Sequence, residues 1–417
     1  MGKFTTPTRV LSLLCVMYFV TYIDRVNIST AANFIKSDFS FTNTQLGFVF
    51  SAFAYPYAIL QFFGGTIADK FGARRTLLVC ALIWGTATIL SGFSTGLVSL
   101  FLCRVVVGVG EGASFSAATR AFQVWMPHRR GFAQGITHSS ARLGNALTPP
   151  LIAALIALAT WRGAFWLDGL VSLVWGVVWF WYFRDNPRDH KGMTGEDLAH
   201  LPIPADKGGK AHLPLPWGRL FVRMLPVTFT YFCYGWSLWL FLSWLPSFFL
   251  QGFGLDIKSS VLFASGVFFA GVVGDTLGGV ISDAVLHRTG NVKLARVGVI
   301  VVSFLGAAVS LLPGFFTRDL TVVSVSLAAG FLFLELAIGA FWAIPGDIAP
   351  RYSGTASGLM NVGSATAAIV SPLVFGIVID LTGNWVYPFY GSVGLLVVGA
   401  GLAFTMHPER RFVDGDG

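Results

Sequence analysis

Charge is what this sequence has least of. Of its 417 residues only 12% are Asp, Glu, Lys or Arg, against 54% that are apolar, and the mean hydropathy is +0.70. Soluble domains carry about 25% charged residues, so this chain has too little polar surface to face water on all sides. Cysteine is scarce as well. Cys15, Cys80, Cys103 and Cys233 all fall in apolar stretches with no CxxC spacing, so neither a metal site nor a disulfide is expected. No segment reads H-E-x-x-H, G-x-S-x-G or G-x-x-x-x-G-K-[ST]. These absences speak against a membrane enzyme and against an ATP-driven pump, and no cofactor is expected. No signalling domain is added to the apolar pattern, which argues against a membrane sensor that binds a ligand without turnover.

What is present is a succession of apolar runs near 20 residues long. Each suffices to cross a hydrocarbon core of roughly 30 Å as a helix. A membrane barrel would show alternating strands of roughly 10 residues instead. Twelve spans are predicted, over 9–32, 44–66, 76–95, 97–121, 131–158, 162–183, 224–250, 259–284, 294–313, 320–344, 353–379 and 385–406. The fold class is therefore all-α and integral to the membrane, as two six-helix bundles. The first run lacks a small-residue cleavage site and reads as a retained helix. "MGKFTT" fits a loose myristoylation pattern, but a twelve-helix chain needs no lipid anchor.

The net charge of +8 could suggest nucleic acid, but its distribution points to a membrane. With both termini cytoplasmic, only Lys36, Arg162, Lys258 and Arg318 fall in external loops. That positive-inside bias orients the chain, and the expected location is a bacterial inner membrane. The longest polar interruption, 184–222, is rich in Pro, Gly and charge. It reads as a cytoplasmic linker between a bundle over 1–183 and a second over 223–417. A repeat supports this division. "GGTIADKFGARR" at 64–75 follows the second span, and "GGVISDAVLHRTG" at 278–290 follows the eighth. Duplicated halves are expected in carriers that rock around a central site.

Those residues carry a resemblance. The stretch 64–75 matches G-x-x-x-D-[RK]-x-G-x-[RK]-[RK] through Gly65, Asp69, Lys70, Gly72, Arg74 and Arg75, and "RVVVGVGEG" matches R-x-x-x-G-x-G-x-G through Arg104, Gly108, Gly110 and Gly112. Over essentially its whole length the chain resembles the major facilitator superfamily. More narrowly, "YIDRVN" (22–27), "GWSLWLFLSWLP" (235–246), "GAFWAIPGD" (339–347) and "GLMNVGSA" (358–365) resemble the anion:cation symporter branch. That branch includes sugar-acid and aromatic-acid permeases. The resemblance implies symport of a monovalent organic anion with protons, sodium not being excluded. A sugar acid such as an aldonate or hexuronate is the leading class and an aromatic carboxylate the alternative. The expected partners are the anion, protons and the bilayer, with no nucleic acid and a monomeric carrier.

The charges inside the spans are the candidate site. A charged side chain at a helix centre costs at least about 2.5–3.5 kcal/mol on insertion scales. Asp24 and Arg25 are adjacent, so they point about 100° apart and each must seek its own partner. Structural ion pairs with neighbouring helices are the alternative to a functional role. The resemblance implies proton coupling at Asp24 and Glu111 and anion binding at Arg25 and Arg104. Arg104 and Glu111, seven apart, share a helix face but are separated by about 10.5 Å along the axis. The glycines between them read as packing positions. Arg142, near the middle of the fifth span, is a third base for an anion. Glu335, mid-span in the repeat counterpart of the fourth helix, is a further coupling candidate. With Asp24, Arg25, Arg104, Glu111 and Arg142 as the cavity set, the site is net positive. The resemblance adds Tyr22, Tyr57, Trp342 and Asn361 as substrate contacts, whose hydroxyl, indole and amide groups can bond a polyol. Asp69, Lys70, Arg74, Arg75, Arg120 and Asp283 are expected to form a cytoplasmic gate, and Asp275 and Asp347 are read as gate or turn residues of the same kind.

Overall fold

The computed structural model describes residues 5–126, 130–194 and 216–412. Most of the predicted linker, and the extreme termini, lie outside the described residues. Among the described residues the chain forms twelve apolar helical segments. The spans run Thr6–Phe39; 43–71; 73–91; 97–125; 130–158; 161–182; 217–252; Ile257–Thr289; 294–315; 320–348; Ser353–Thr382; and Tyr387–Ala403. The seventh helix starts at Trp217, inside the segment read as linker.

Two of the reversals hide inside unbroken helical assignments. At Gly72 φ is +79° between the second and third spans. At Thr160 φ is +63° between the fifth and sixth. Gly72 is the glycine of the signature loop, and both reasons for it are local. The left-handed backbone suits glycine, and a β-carbon there would lie 2.5 Å from Asp185 Oδ2. That carboxylate accepts the Arg74 backbone N–H at 3.0 Å. Elsewhere the chain marks its ends with polar caps. Thr42 and Gln45 form a capping box, Asp256 caps the eighth span, and Asp319 caps the tenth. Each satisfies N–H groups that a helix start leaves bare.

Inside a bilayer helices gain little from burying apolar area against each other, so close packing of small residues holds them. The fourth span shows this. β-Carbons on Gly108, Gly110 and Gly112 would lie 2.1 Å from the Phe53 carbonyl oxygen, 2.5 Å from the Trp84 nitrogen and 2.4 Å from Leu60 Cβ. The glycines of "RVVVGVGEG" thus let the second and third spans approach.

The two bundles meet unequally along the membrane normal. On the side away from the termini one apolar core runs through both, joining Ile28, Ile35 and Phe50 to Trp244, Phe248 and Phe375. Phe50 packs edge-on against Trp244 at 5.2 Å. On the termini side the first bundle keeps a largely separate core around Leu14, Trp84, Trp175 and Trp179. The bonds that cross between bundles follow the same pattern. Asn33 bonds Ser247 and Gln251, Asp380 bonds Asn43 and Thr44, and Arg142 bridges at mid-depth to Asp275 and Glu335. The molecule is closed at the end remote from its termini.

Candidate functional site

Side chains on a helix lean toward its N-terminus. The first and fourth spans run in opposite directions, so Arg25 and Glu111 lean toward each other and Arg104 leans away from Glu111. Arg25 Nε and Nη2 accordingly both approach Glu111 Oε2 at 2.8 Å. Arg104 instead donates from Nη1 to the backbone carbonyl of Asp24 at 3.0 Å. Adjacency does keep Asp24 and Arg25 apart. Asp24 turns into the first bundle, where Thr88 Oγ1 donates to Oδ1 at 2.8 Å and Ser172 Oγ donates to Oδ2 at 3.1 Å.

Around Arg25 stand four rings. Its guanidinium carbon is 4.7 Å from the Tyr22 centroid, 4.8 Å from Tyr57 and 5.1 Å from Phe53 and Phe115. Desolvated contacts of this kind favour the cation. Tyr22 also lies 6.0 Å from the guanidinium of Arg142, so one ring separates the two basic groups. Arg142 Nη2 pairs with Glu335 Oε2 at 3.0 Å and its Nε with Asp275 Oδ2 at 3.1 Å. Tyr234 OH donates to the same Glu335 oxygen at 3.2 Å. The halves mirror one another. Glu111 and Glu335 each sit two residues before an interruption of their helix, at Ala113 and at Ala337, and each holds an arginine.

Several polar atoms here are buried without a hydrogen-bond partner: Glu111 Oε1, Arg104 Nε, Arg142 Nη1, Glu335 Oε1 and both amide atoms of Asn145. Buried polar groups usually have a partner, and these lie on residues of the inter-bundle region and the fourth span.

The structure changes the expected charge of the site. Arg25, Arg104 and Arg142 face not two acids but five: Asp24, Glu111, Glu335, Asp275 and Asp168. With all ionised the set is net negative. Asp275 accounts for part of the difference. The sequence reading placed it near a helix end as a gate or turn residue. The eighth span continues to Thr289, so Asp275 lies about 21 Å short of that end at 1.5 Å per residue, level with Arg142. Asp168 and Arg296 were missed, although each is a charge inside an apolar span and the same signal would have found them.

The other expected residues fall as follows. Tyr57 is buried in the Arg25 cage. Trp342 is 41% exposed and faces His138 across the bundles at 5.9 Å. Asn361 is half-buried on the eleventh span. On the termini side Arg120 pairs with Asp69. Arg74 is used within the first bundle, donating to the Phe180 carbonyl at 2.8 Å with its guanidinium 4.2 Å from that ring. Lys70 lies 5.4 Å from the Phe71 ring, and Arg75 is exposed. In the second bundle Arg296 joins Asp347 at 2.9 Å and Asp283 at 3.3 Å. Among the described residues no group of His, Cys, Asp and Glu is arranged to hold a metal.

Comparison with known proteins bears on this geometry. Residues 14–372 match the model of the Major Facilitator Superfamily. The chain is 48% identical over 408 residues to a probable sulfoacetate transporter of Cupriavidus necator, covering 97% of this chain and 95% of the relative. It is 31% identical to a hexuronate transporter of Bacillus subtilis, covering 91% and 89%. A bacterial homolog of the human lysosomal transporter Spinster, solved in an inward-facing and unoccupied conformation, superimposes with a TM-score of 0.79 over 97% of this chain and 98% of that one at 19% identity.

Proposed function

This chain belongs to the Major Facilitator Superfamily and is a membrane transporter rather than an enzyme, and from that premise we propose that it imports a small organic anion together with protons by alternating access. The observation that carries the reading is the charge balance of the interior: three guanidinium groups face five carboxyls, of which Asp24, Glu111, Asp168 and Glu335 are buried and Asp275 is partly exposed. Uncompensated charge is costly there. An anion can settle on Arg25, Arg104 and Arg142 only when protons offset the carboxylates around them. Proton and anion then bind cooperatively, and the coupling is reciprocal.

In this reading Asp24, Glu111 and Glu335 take the protons, and Arg25, Arg104 and Arg142 take the acid group. Tyr22, Tyr57, Trp342 and Asn361 meet the rest of the substrate. The termini lie in the cytoplasm of a bacterial cell, with the protein a monomer in the inner membrane, so the closed side is periplasmic and the conformation inward-facing. The bundles divide in the segment after the sixth span and before Trp217. Asp69 with Arg120, and Asp283 with Arg296, are the cytoplasmic gate elements, here each satisfied within its own bundle.

The substrate class is a short organic acid with a sulfonate or carboxylate head. The relative named for sulfoacetate shares 48% identity, and the hexuronate carrier 31%. A sugar acid is the second reading, favoured by the hydroxyl, amide and indole groups listed above. Uptake by proteoliposomes separates them. Radiolabelled sulfoacetate and glucuronate are offered under an inwardly directed proton gradient, a sodium gradient, or neither. Accumulation driven by the proton gradient and abolished by a protonophore is expected. Accumulation driven by sodium alone, or equilibration that ignores both gradients, refutes proton coupling.

A further inference from the structure

Asp168 of the sixth span is 6% exposed, and Asp24 of the first span is fully buried. The two carboxyls lie against each other. Their donors are exchanged between the helices. Asn27, three residues after Asp24, donates from Nδ2 to Asp168 Oδ2 at 2.7 Å. Ser172, four residues after Asp168, donates to Asp24 Oδ2 at 3.1 Å. Three- and four-residue spacings share a helix face, so one face of each span supplies an acid and the donor for the other's acid. Thr88 of the third span closes the ring at 2.8 Å.

The charges that face this pair are few. They are Arg104 and Glu111 of the fourth span. Arg25 and Glu111 are spent on each other. Arg104 spends Nη1 on the Asp24 carbonyl oxygen rather than on a carboxylate, and its buried Nε has no partner. Two acids therefore share one guanidinium that is engaged on neither. Two carboxyls in one buried site do not both ionise readily, because like charges repel strongly where water is excluded.

We infer that Asp24 and Asp168 hold one proton between them and that Asp168 is the positioning residue that makes Asp24 a proton site in the transport cycle. Arg104 links the pair to the anion. The guanidinium that touches Asp24 also offers the free Nε–H, so an anion drawn to Arg104 competes for the group that stands beside the shared proton. This rests on the proton-coupled reading above for its role in transport, though not for the existence of the shared proton.

The test uses full-length protein in proteoliposomes, with Asp168→Asn and Asp168→Glu. Asn removes the charge while keeping a donor and an acceptor. Asp168→Asn is expected to lose the pH dependence of counterflow and to lower proton-driven accumulation at least about tenfold, one pH unit's worth of coupling. Asp168→Glu is expected to restore accumulation in part. Infrared difference spectra provide a readout independent of transport: wild-type protein should show a protonated carboxyl band at neutral pH that both Asp168→Asn and Asp24→Asn remove. If wild-type uptake follows the proton gradient and Asp168→Asn keeps both its accumulation and its pH profile, the inference is overturned while the transport reading stands. If the carboxyl band is absent from wild type, or survives in both variants, the shared proton is overturned. If the band behaves as expected but wild-type uptake ignores the proton gradient, the pair stands and the transport reading falls. Should Asp168→Asn not fold, the Asp24→Asn and Asp168→Glu spectra decide the matter.

Discussion

Removing the Asp380 carboxylate should open the side of the molecule remote from the termini. Asp380 stands near the end of the eleventh span and reaches into the other bundle. Its Oδ1 accepts from the Asn43 backbone N–H at 3.1 Å and from Asn43 Nδ2 at 2.8 Å; its Oδ2 accepts from the Thr44 N–H at 2.7 Å and from Thr44 Oγ1 at 2.6 Å. Asn43 and Thr44 are the first two residues of the second span. One bundle thus caps a bare helix start on the other, where the backbone N–H groups and the helix dipole both favour an anion. The backbones beneath are in contact: a β-carbon on Gly376 would lie 2.3 Å from the Asn43 carbonyl oxygen, and one on Gly47 2.4 Å from that of Pro372. A carboxylate at a helix N-terminus contributes about 0.3–1 kcal/mol when exposed and up to about 2 when partly buried. Asp380 is exposed, but Asn43 beneath it is buried, so about 1.5 kcal/mol is a fair value for Asp380→Ala. That is roughly a tenfold shift in the balance between closed and open forms. The assay is labelling of Thr30→Cys in a background without the four native cysteines. Thr30 lines a crevice with Asn33, Pro246, Leu250 and Ser260 between the bundles. An impermeant maleimide added from the closed side should react about tenfold faster in Asp380→Ala, and less so at high salt, which screens the wild-type contact. Labelling that stays within about twofold of wild type at low salt would show that the cap does not hold this side shut.

Three other outcomes follow from the same contacts. Gly376→Val places a side chain against the Asn43 carbonyl and should prevent closure, cutting transport far more than it lowers the thermal unfolding temperature; both are read on purified protein. Arg25→Lys loses the two-nitrogen approach to Glu111, and a compact ammonium replaces the planar fork, so affinity for the transported acid should fall about tenfold or more in thermal-shift titration. Wild-type affinity would remove Arg25 from the site. The two termini-side clusters should differ in stability: Asp69→Asn, at an exposed pair, is expected to cost under about 1 kcal/mol, whereas Arg296→Ala removes a buried guanidinium with its charge-assisted hydrogen bonds to Asp347 and Ser282, leaving carboxylates that water can reach, and should cost about 2 kcal/mol. Denaturation midpoints of the two variants compare them directly.

The twelve crossings were legible in the residues because hydrocarbon imposes a length and a composition on any helix that crosses it. The turn at Gly72 was local chemistry, and the repeated loops at 64–75 and 278–290 announced two related halves. So were the charges that matter: Asp24, Arg25, Arg104, Glu111, Arg142 and Glu335 stand out from their surroundings without any knowledge of what lies beside them. What only the tertiary structure decided is which acid each arginine meets. Hydropathy sets depth to within a few residues, about 1.5 Å each, and says nothing of how far a helix is turned about its own axis, whereas a hydrogen bond tolerates a few tenths of an ångström and a narrow angle. Glu111 and not Asp24 therefore receives Arg25, Asp275 leaves its supposed gate for Arg142, and Asp168 arrives beside Asp24 from 144 residues away in a chain whose apolar background gave that meeting no trace.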